Sequence, residues 1–255
     1  MLILLTNDDG IQAAGLWAMY RRLLDLGEVA VVAPLTMQSA AGHGITVMTP
    51  LVTSQVTVAE GFTGTAVDGR PADCVKLAIS QLLPRPPDLV VSGINAGANV
   101  GINVIYSGTV AAAIEAAFLG VPAVAVSLYL RNGIPPDYAG AAALARRTLD
   151  QILAHGLSRS QVVSVNLPAL APGQAPAGIR VVRQCTRPWV DNYERRKDPR
   201  GRDYYWNTSV FTLATDDDDT DVAALRDGYA TVTPLHFDLT DRAQLEKWSS
   251  SQWKL

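Results

Sequence analysis

The first two-thirds of the chain alternate short apolar runs with longer segments of helical periodicity, and this alternation constrains the fold more than any other feature. Apolar runs such as Val29–Val32 show no polar alternation, which is typical of parallel strands covered by helices on both faces. The sequence therefore predicts an α/β fold with a doubly wound, Rossmann-like, mostly parallel sheet. The predicted segments, strands and helices in turn, are Leu2–Leu5, Leu16–Leu24, Glu28–Ala33, Pro71–Leu82, Asp88–Ser92, Thr109–Leu119, Ala123–Ser127, Tyr138–Leu153 and Val162–Asn166.

After Asn166 the alternation stops, and several prolines mark a loop into a region of different character. The insert Trp189–Trp206 is dense in Arg, Asp and Tyr, which predicts an extended arm or β-hairpin. We expect an α/β core over residues 1–180, and an arm over residues 181–255 whose last strand and helix return to the core. The remaining predicted segments are a strand-like stretch over Arg180–Thr215, a short helix over Asp221–Arg226, a strand over Thr231–Leu235 and a terminal helix from near Asp241.

Composition excludes several classes of protein. No apolar run approaches the roughly 18 to 20 residues of a membrane span, and Met1–Leu5 lacks the basic flank of a signal peptide. The net charge of −3 argues against a surface that grips a nucleic-acid polymer, although free nucleotides remain candidate ligands. The two cysteines, Cys74 and Cys185, have neither metal-site nor disulfide-framework spacing. A cytoplasmic protein without membrane partners is expected.

Two adjacent carboxylates, Asp8 and Asp9, directly follow the first predicted strand. They should lie at the carboxyl end of the sheet, where open α/β sheets bind ligands. Neighbouring carboxylates repel each other, and a hard cation relieves that repulsion. An aspartate that caps the following helix beside a solvated one is the plain structural alternative. The position after the first strand, followed by Gly10, favours a metal site.

Further oxygen ligands must come from other loops, and Ser39 and Asn95 follow two other predicted strands. Either residue alone is more typical of an ordinary turn. Together with Asp8 and Asp9 they form an all-oxygen set, which favours Mg²⁺ or Mn²⁺, with Ca²⁺ as a further option, over Zn²⁺. We expect one divalent ion per subunit.

A glycine-rich segment, Ser92–Gly101, precedes Tyr106-Ser-Gly-Thr-Val110, which opens a helix. Exposed N–H groups at a helix N-terminus bind anions, so this opening is a candidate phosphate cradle, although an ordinary serine cap fits it equally well. The candidate residues are Asp8, Asp9 and Asn95 for catalysis, Asp8, Asp9, Ser39 and Asn95 for metal, and Asn95, Asn99, Ser107, Gly108 and Thr109 for substrate phosphate.

A metal beside an anion cradle indicates phosphoryl chemistry. In this hypothesis the cation acidifies a water, either Asp8 or Asp9 orients or deprotonates that water, and Asn95 and the helix end stabilise the transferring group. His43 is a candidate acid for the leaving oxygen, but a lone histidine in a glycine-rich loop is more often incidental.

These motifs resemble the stationary-phase survival protein SurE family of metal-dependent 5′/3′-nucleotidases, over nearly the whole chain. The resemblance rests on Ile3–Gly10, Gln38-Ser39, Pro71–Lys76, Ser92–Asn95, Tyr106–Val110, Asp198–Arg202 and Thr231–Leu235.

The resemblance implies that Asp8, Asp9, Ser39 and Asn95 are metal ligands and that Ser107, Gly108 and Thr109 lie at the phosphate site. It also implies nucleoside monophosphates as substrates, short polyphosphate as a further one, and a homodimer or homotetramer joined by the C-terminal arm. The chain departs from the usual pattern at four positions, none of them a proposed ligand: Ala40 and Ala112 in place of Gly, Arg70 in place of Thr, and Asn103 in place of Asp.

Two other classes share parts of this pattern. A receiver-like signalling domain also has an acidic pair after its first strand, but it is much shorter and has a lysine after its last core strand, which Ala123–Leu130 lacks. A phosphatase with an aspartyl nucleophile uses Asp-x-Asp, whereas this chain has Asp-Asp.

Cations alternate with aromatic residues between Arg187 and Trp206, a pattern that single-stranded nucleic-acid binders use. Acidic neighbours nearly cancel the charge, so an oligomerisation arm is favoured. The run Asp216–Asp219 offers carboxylates for a metal, but a solvated loop before a helix capped by Thr220 is the preferred interpretation.

Overall fold

Alternating strands and helices dominate the computed structural model, which describes residues 1–58, 62–188, 191–209, 212–215 and 217–253. The strands are β1 Leu2–Thr6, β2 Glu28–Pro34, β3 Thr53–Thr57, β4 Thr63–Val67, β5 Leu89–Ala96, β6 Ala123–Leu128, β7 Val162–Leu167, β8 Gly178–Val181, β9 Tyr193–Lys197, β10 Asp203–Asn207 and β11 Tyr229–Leu235. The α-helices are α1 Ala14–Leu23, α2 Pro71–Leu77, α3 Gly108–Phe118, α4 Tyr138–Ala154, α5 Asp221–Arg226 and α6 Arg242–Ser249, with a π-helical turn at Ala78–Leu82 and a 3₁₀ helix at Gly101–Ile105.

One mixed sheet organises the fold, and within the described residues its nine strands lie in the order β3-β4-β2-β1-β5-β6-β7-β11-β8. The six strands from β4 to β7 are parallel, while β3 and β11 are antiparallel to their neighbours β4 and β7. The chain runs outward from β1 to β4 and then returns to β5 on the other side of β1. The switch point, where such sheets bind ligands, is therefore at the carboxyl ends of β1 and β5.

Helices cover both faces of the sheet, as the apolar strands predicted. In β1, Ile3 and Leu5 pack in the layer of α1 and α4, whereas Leu4 packs in the layer of α2 and α3 with Cys74. Fully burying a large aliphatic side chain contributes about 1.5–3 kcal/mol to the free energy of folding. Because a one-residue slip would move each of these side chains to the opposite face of the sheet, the register of β1 is strongly fixed. The predicted fold class is confirmed.

The structure corrects several predicted boundaries. Strand β5 continues to Ala96 instead of ending at Ser92, so Asn95 lies at the end of a strand and not in a loop. The sequence did not predict β3 and β4. The stretch Arg180–Thr215 is also less regular than expected, because β8, β9 and β10 are its strands among the described residues.

The C-terminal region contains the predicted hairpin, short helix, strand and terminal helix. Strands β9 and β10 form a separate antiparallel pair whose residues are exposed, and α6 buries none of its residues. Thr220 caps α5 by accepting from the N–H of Ala223, and Asp219 pairs with Arg183, in agreement with a solvated acidic loop. Trp189 and Asp216 lie outside the described residues. None of the described helices combines the length and apolar composition that crossing a bilayer requires.

The division into residues 1–180 and 181–255 stays a prediction. Strand β8 spans that boundary, and β11 pairs with both β7 and β8. The last third of the chain thus contributes strands to the main sheet as well as the separate hairpin.

Candidate active site at the ends of β1 and β5

The turn that carries Asp8 and Asp9 is fixed by its neighbour Asn7. The buried Asn7 side chain donates from Nδ2 to the carbonyl of Gly10 at 2.9 Å and accepts from the N–H of Gly10 at 3.2 Å. Gly10 has a φ of 99°, in the left-handed region that favours glycine. Asn7 was not among the predicted site residues, although Asn-x-x-Gly after a strand is a recognisable turn signal.

Asp8 is almost completely buried between β1 and α3. Its Oδ1 accepts a 2.6 Å hydrogen bond from the hydroxyl of Thr109. Burial raises the pKa of Asp8 to about 6, the hydrogen bond from Thr109 lowers it, and the charge of Asp9 raises it further. An ionised Asp8 is therefore costly in the protein alone, and an added positive charge would relieve that cost.

The opening turn of α3 lies directly against Asp8. A Cβ at Gly108 would come within 2.8 Å of the Asp8 Cβ, so only glycine allows this approach. Ser107 caps the helix by accepting from the N–H of Val110 at 3.1 Å. The serine-cap interpretation is thus correct, and it places the positive end of the α3 dipole beside the acidic turn.

Asp9 connects the turn to β5. Its Oδ2 accepts from the backbone N–H of Ala96 at 2.8 Å, and burial raises its pKa while that hydrogen bond lowers it. Asn95, the residue before Ala96 on β5, donates from Nδ2 to the carbonyl of Gly97 at 2.8 Å. These bonds bring Asp9 and Asn95 to one edge of the sheet.

Ser39 lies in the exposed turn after β2. The N–H of Gln38 donates to the Asp8 carbonyl at 2.8 Å, which holds the serine next to the acidic turn. Ala40 follows with a φ of 54°, a conformation that glycine adopts more easily, so the departure from the family pattern falls on a strained residue. The structure thus places all four predicted metal ligands on segments that contact one another.

The donor chemistry of these four residues fits a hard cation. Asp8 and Asp9 offer carboxylate oxygens, Asn95 an amide oxygen and Ser39 a hydroxyl oxygen. No group of three His, Cys, Asp or Glu side chains suited to a metal occurs in the described part of the chain. A metal at this turn would therefore need the hydroxyl and amide oxygens as well as the two carboxylates.

Asn99 belongs to a buried polar network behind Thr109. Its N–H donates to Oδ1 of Asn166 at 2.8 Å, and its Nδ2 donates to the hydroxyls of Ser127 at 2.8 Å and Thr109 at 3.4 Å. Nearby in sequence, the N–H of Gly101 donates to the buried carboxylate of Asp221 at 2.8 Å. Ser127, Asn166 and Asp221 were not among the predicted site residues, because their partners are distant in sequence.

His43 contacts α3 through its ring nitrogen Nε2. Its Nε2 lies 2.7 Å from Oε2 of Glu115 on α3, so this nitrogen already has a partner. The suggested role as a leaving-group acid stays a prediction.

These observations define an α/β protein with a doubly wound sheet, whose switch point carries paired carboxylates and a helix N-terminus as a candidate ligand site. A family model described as survival protein SurE matches residues 3–191. The chain belongs to the SurE family.

Similar proteins align over nearly their whole length. The protein named 5′-nucleotidase SurE from Syntrophobacter fumaroxidans is 46% identical over 98% of this chain and 100% of its own. The protein of the same name from Rhodopirellula baltica is 49% identical over 94% of this chain and 94% of its own. The crystal structure of the SurE protein from Aquifex aeolicus has a TM-score of 0.82 and 35% identity, and covers 97% of this chain and 98% of that one.

Proposed function

We propose that this chain is a divalent-metal-dependent phosphomonoesterase that hydrolyses nucleoside 5′- and 3′-monophosphates to nucleoside and phosphate, with short polyphosphate as a further substrate. The observation that carries the proposal is the 2.6 Å bond between Thr109 and Asp8, which holds a helix N-terminus against an acidic pair. The names of the relatives, 5′-nucleotidase SurE, support the same reaction class.

Asp8, Asp9, Ser39 and Asn95 would hold the metal. When bound, a divalent cation supplies positive charge for the phosphate oxygens and acidifies water. All four residues offer oxygen ligands, so Mg²⁺ or Mn²⁺ is proposed, with Ca²⁺ as a further option.

The protein's own groups would orient the ester and the water. The first-turn amides of α3, at Gly108 and Thr109, donate to phosphate oxygens and place the positive helix end near the developing charge. Asp8 or Asp9 orients the attacking water and accepts its proton. The side-chain amide of Asn95, at the end of β5, stabilises charge on the transferring group. Asn99 donates a hydrogen bond to the Thr109 hydroxyl and so helps to hold it in place.

The proposal extends to location and assembly. Cys74 and Cys185 form no disulfide and are buried, which supports a reducing cytoplasm.

The exposed hairpin β9–β10, with Tyr193, Tyr205 and Trp206 on its surface, would join subunits into a homodimer or homotetramer. Neither a nucleic-acid polymer nor a membrane is proposed as a partner. Loss of the oligomer on deleting residues 187–206, seen by light scattering, would support this role for the arm.

Phosphate release from a panel of nucleoside 5′- and 3′-monophosphates and short polyphosphate tests the reaction. Activity is expected to disappear in chelator and in Asp8→Asn and Asp9→Asn, and to persist in the control Asp218→Asn, an aspartate that is 91% exposed. Undiminished activity in chelator would refute metal dependence. Trapping a phosphorylated aspartate would favour the aspartyl-nucleophile alternative instead.

A further inference from the structure

A buried carboxylate with two side-chain partners lies outside the catalytic groups described above. The carboxylate of Glu115, on α3, is 5% exposed and has two side-chain partners, His43 and Lys76. Nε2 of His43 lies 2.7 Å from its Oε2, and Nζ of Lys76, on α2, lies 3.0 Å from its Oε1. Burial would raise the pKa of Glu115, but the hydrogen bonds from His43 and Lys76 bring it below its ordinary value. The carboxylate is therefore ionised and able to hold both partners.

His43 belongs to the long loop between β2 and β3, residues 35–52, which also carries Ser39. The histidine is four residues beyond the serine. Around it, the loop is fastened by the N–H of Gly42, which donates to the carbonyl of Tyr106 at 3.0 Å, and by Thr46, whose hydroxyl donates to Asp73 at 2.7 Å. The bond to Glu115 thus lies in a short series of anchors directly after the serine.

Aromatic packing fixes the orientation of the imidazole. Its ring stacks on Phe118 with centroids 5.2 Å apart and planes 11° from parallel, and Phe118 meets Phe237 edge to face at 4.9 Å. Phe118 is three residues after Glu115, one helical turn along the same face of α3. A single face of α3 therefore holds His43 through a carboxylate and a ring.

We infer that Glu115 and His43 are positioning residues for the metal site, holding the loop 35–52 on α3 so that Ser39 lies beside Asp8 and Asp9. This inference rests on the proposed function, since it concerns the affinity of the same site for its ion. The opening turn of α3 approaches the acidic pair, and a later turn holds the loop that supplies the serine. One helix therefore sets the relative position of the phosphate-binding end and the Ser39 ligand.

The test measures Mn²⁺ affinity of the full-length protein by electron paramagnetic resonance, without substrate. His43→Phe keeps an aromatic ring for Phe118 and removes the bond to Glu115, and we expect it to weaken Mn²⁺ binding about 10–100-fold, as loss of a partner that orients a metal ligand does. His43→Gln restores an N–H donor and should recover part of the affinity. The matched control is Lys76→Gln, which removes the other partner of Glu115 without touching the loop, and should leave affinity within about twofold of wild type.

Two further readouts separate positioning from general stability. Hydrogen exchange of residues 36–45 should accelerate in His43→Phe, while the amides of β1 and β5 stay protected. In a Ser39→Ala background, His43→Phe should weaken Mn²⁺ binding no further, because the loop then has no ligand left to position. Equal Mn²⁺ affinity and loop exchange in wild type, His43→Phe and His43→Gln would overturn the inference and leave the proposed function intact. Mn²⁺ binding that survives Asp8→Asn and Asp9→Asn would overturn the proposed function, and the inference with it.

Discussion

The hydroxyl of Thr109 donates a 2.6 Å hydrogen bond to Oδ1 of Asp8, joining the first turn of α3 to the end of β1. This bond leaves the second carboxylate oxygen of Asp8 near Gly108, where a side chain would not fit. It also fixes the direction in which the acidic turn presents its charge.

Thr109→Val replaces the hydroxyl with a methyl group of similar size. A hydrogen bond to a charged group contributes about 1.5–3 kcal/mol, so we expect kcat/KM for a nucleoside monophosphate to fall about 10–100-fold. Thr109→Ser keeps the hydroxyl and serves as the matched control, with activity within a few-fold of wild type. Equal kcat/KM for the valine and serine variants would show that the bond to Asp8 does not support the reaction.

The stability of the metal-free protein should depend on the ionisation of Asp8. Burial raises the pKa of Asp8 to about 6 from 3.8, so the folded state binds this proton more tightly than the unfolded state. The stabilisation by protonation is fully present below the unfolded pKa of about 4 and is lost as the pH rises through about 6. At pH 7.5 the ionised carboxylate therefore lowers the free energy of unfolding by on the order of 2–3 kcal/mol.

Asp8→Asn removes this charge and keeps an oxygen that can accept from Thr109. In urea denaturation with chelator present, we expect the variant to be more stable than wild type at pH 7.5, with a smaller difference at pH 5. The exposed control Asp218→Asn should show no such gain at either pH. A variant that is no more stable than wild type at pH 7.5 would contradict the assigned effect of burial.

Gly108→Ala tests the close approach of α3 to the acidic turn. The new Cβ would lie 2.8 Å from the Cβ of Asp8 and 3.2 Å from the Pro71 ring, so the carboxylate or the helix must move. We expect loss of nucleotidase activity with the fold retained, as judged by circular dichroism. Gly140→Ala is the comparison variant: its Cβ would lie 2.3 Å from the Asp137 carboxylate that caps α4, so it disturbs a first helical turn without touching Asp8 and should keep nucleotidase activity. Full activity in Gly108→Ala would show that this approach is unimportant.

Ala40→Gly tests the strain at the residue after Ser39. A non-glycine residue in the left-handed region costs about 1–2 kcal/mol, and Ala40 has a φ of 54°. Glycine at this position would relieve the strain, but its greater conformational freedom in the unfolded chain offsets part of that gain. The variant should therefore gain up to about 1 kcal/mol in the free energy of unfolding. Ala41→Gly, at a neighbour without a positive φ, should lose stability instead. If both variants lose stability equally, the strain at Ala40 is not significant.

The positions of the candidate site residues were predictable from the sequence where those residues directly follow a strand or open a helix. Asp8 and Asp9 follow a continuously apolar strand, and Ser107, Gly108 and Thr109 open a helix, so their places at the sheet edge follow from local pattern. Strand β3 was missed because its residues are mostly exposed and lack an apolar face to reveal it. Its extended conformation is stabilised by antiparallel pairing with β4, which its own sequence pattern does not indicate.

Contacts between distant residues were not predictable from the sequence. Asn99 and Asn166 are 67 residues apart, and His43 and Glu115 are 72 residues apart. Each partner alone is an ordinary polar residue, and only the folded sheet brings the two together. The suggestion that His43 is an acid arose from its residue type, whereas its buried partner supports a positioning role.

The most direct test of the account is anomalous diffraction from crystals of this protein soaked in Mn²⁺. We expect one strong peak per subunit at the ends of β1 and β5, bound by oxygens of Asp8, Asp9, Ser39 and Asn95. A soaked crystal with no peak at that turn, from protein that still releases phosphate from nucleotides in chelator, would contradict it.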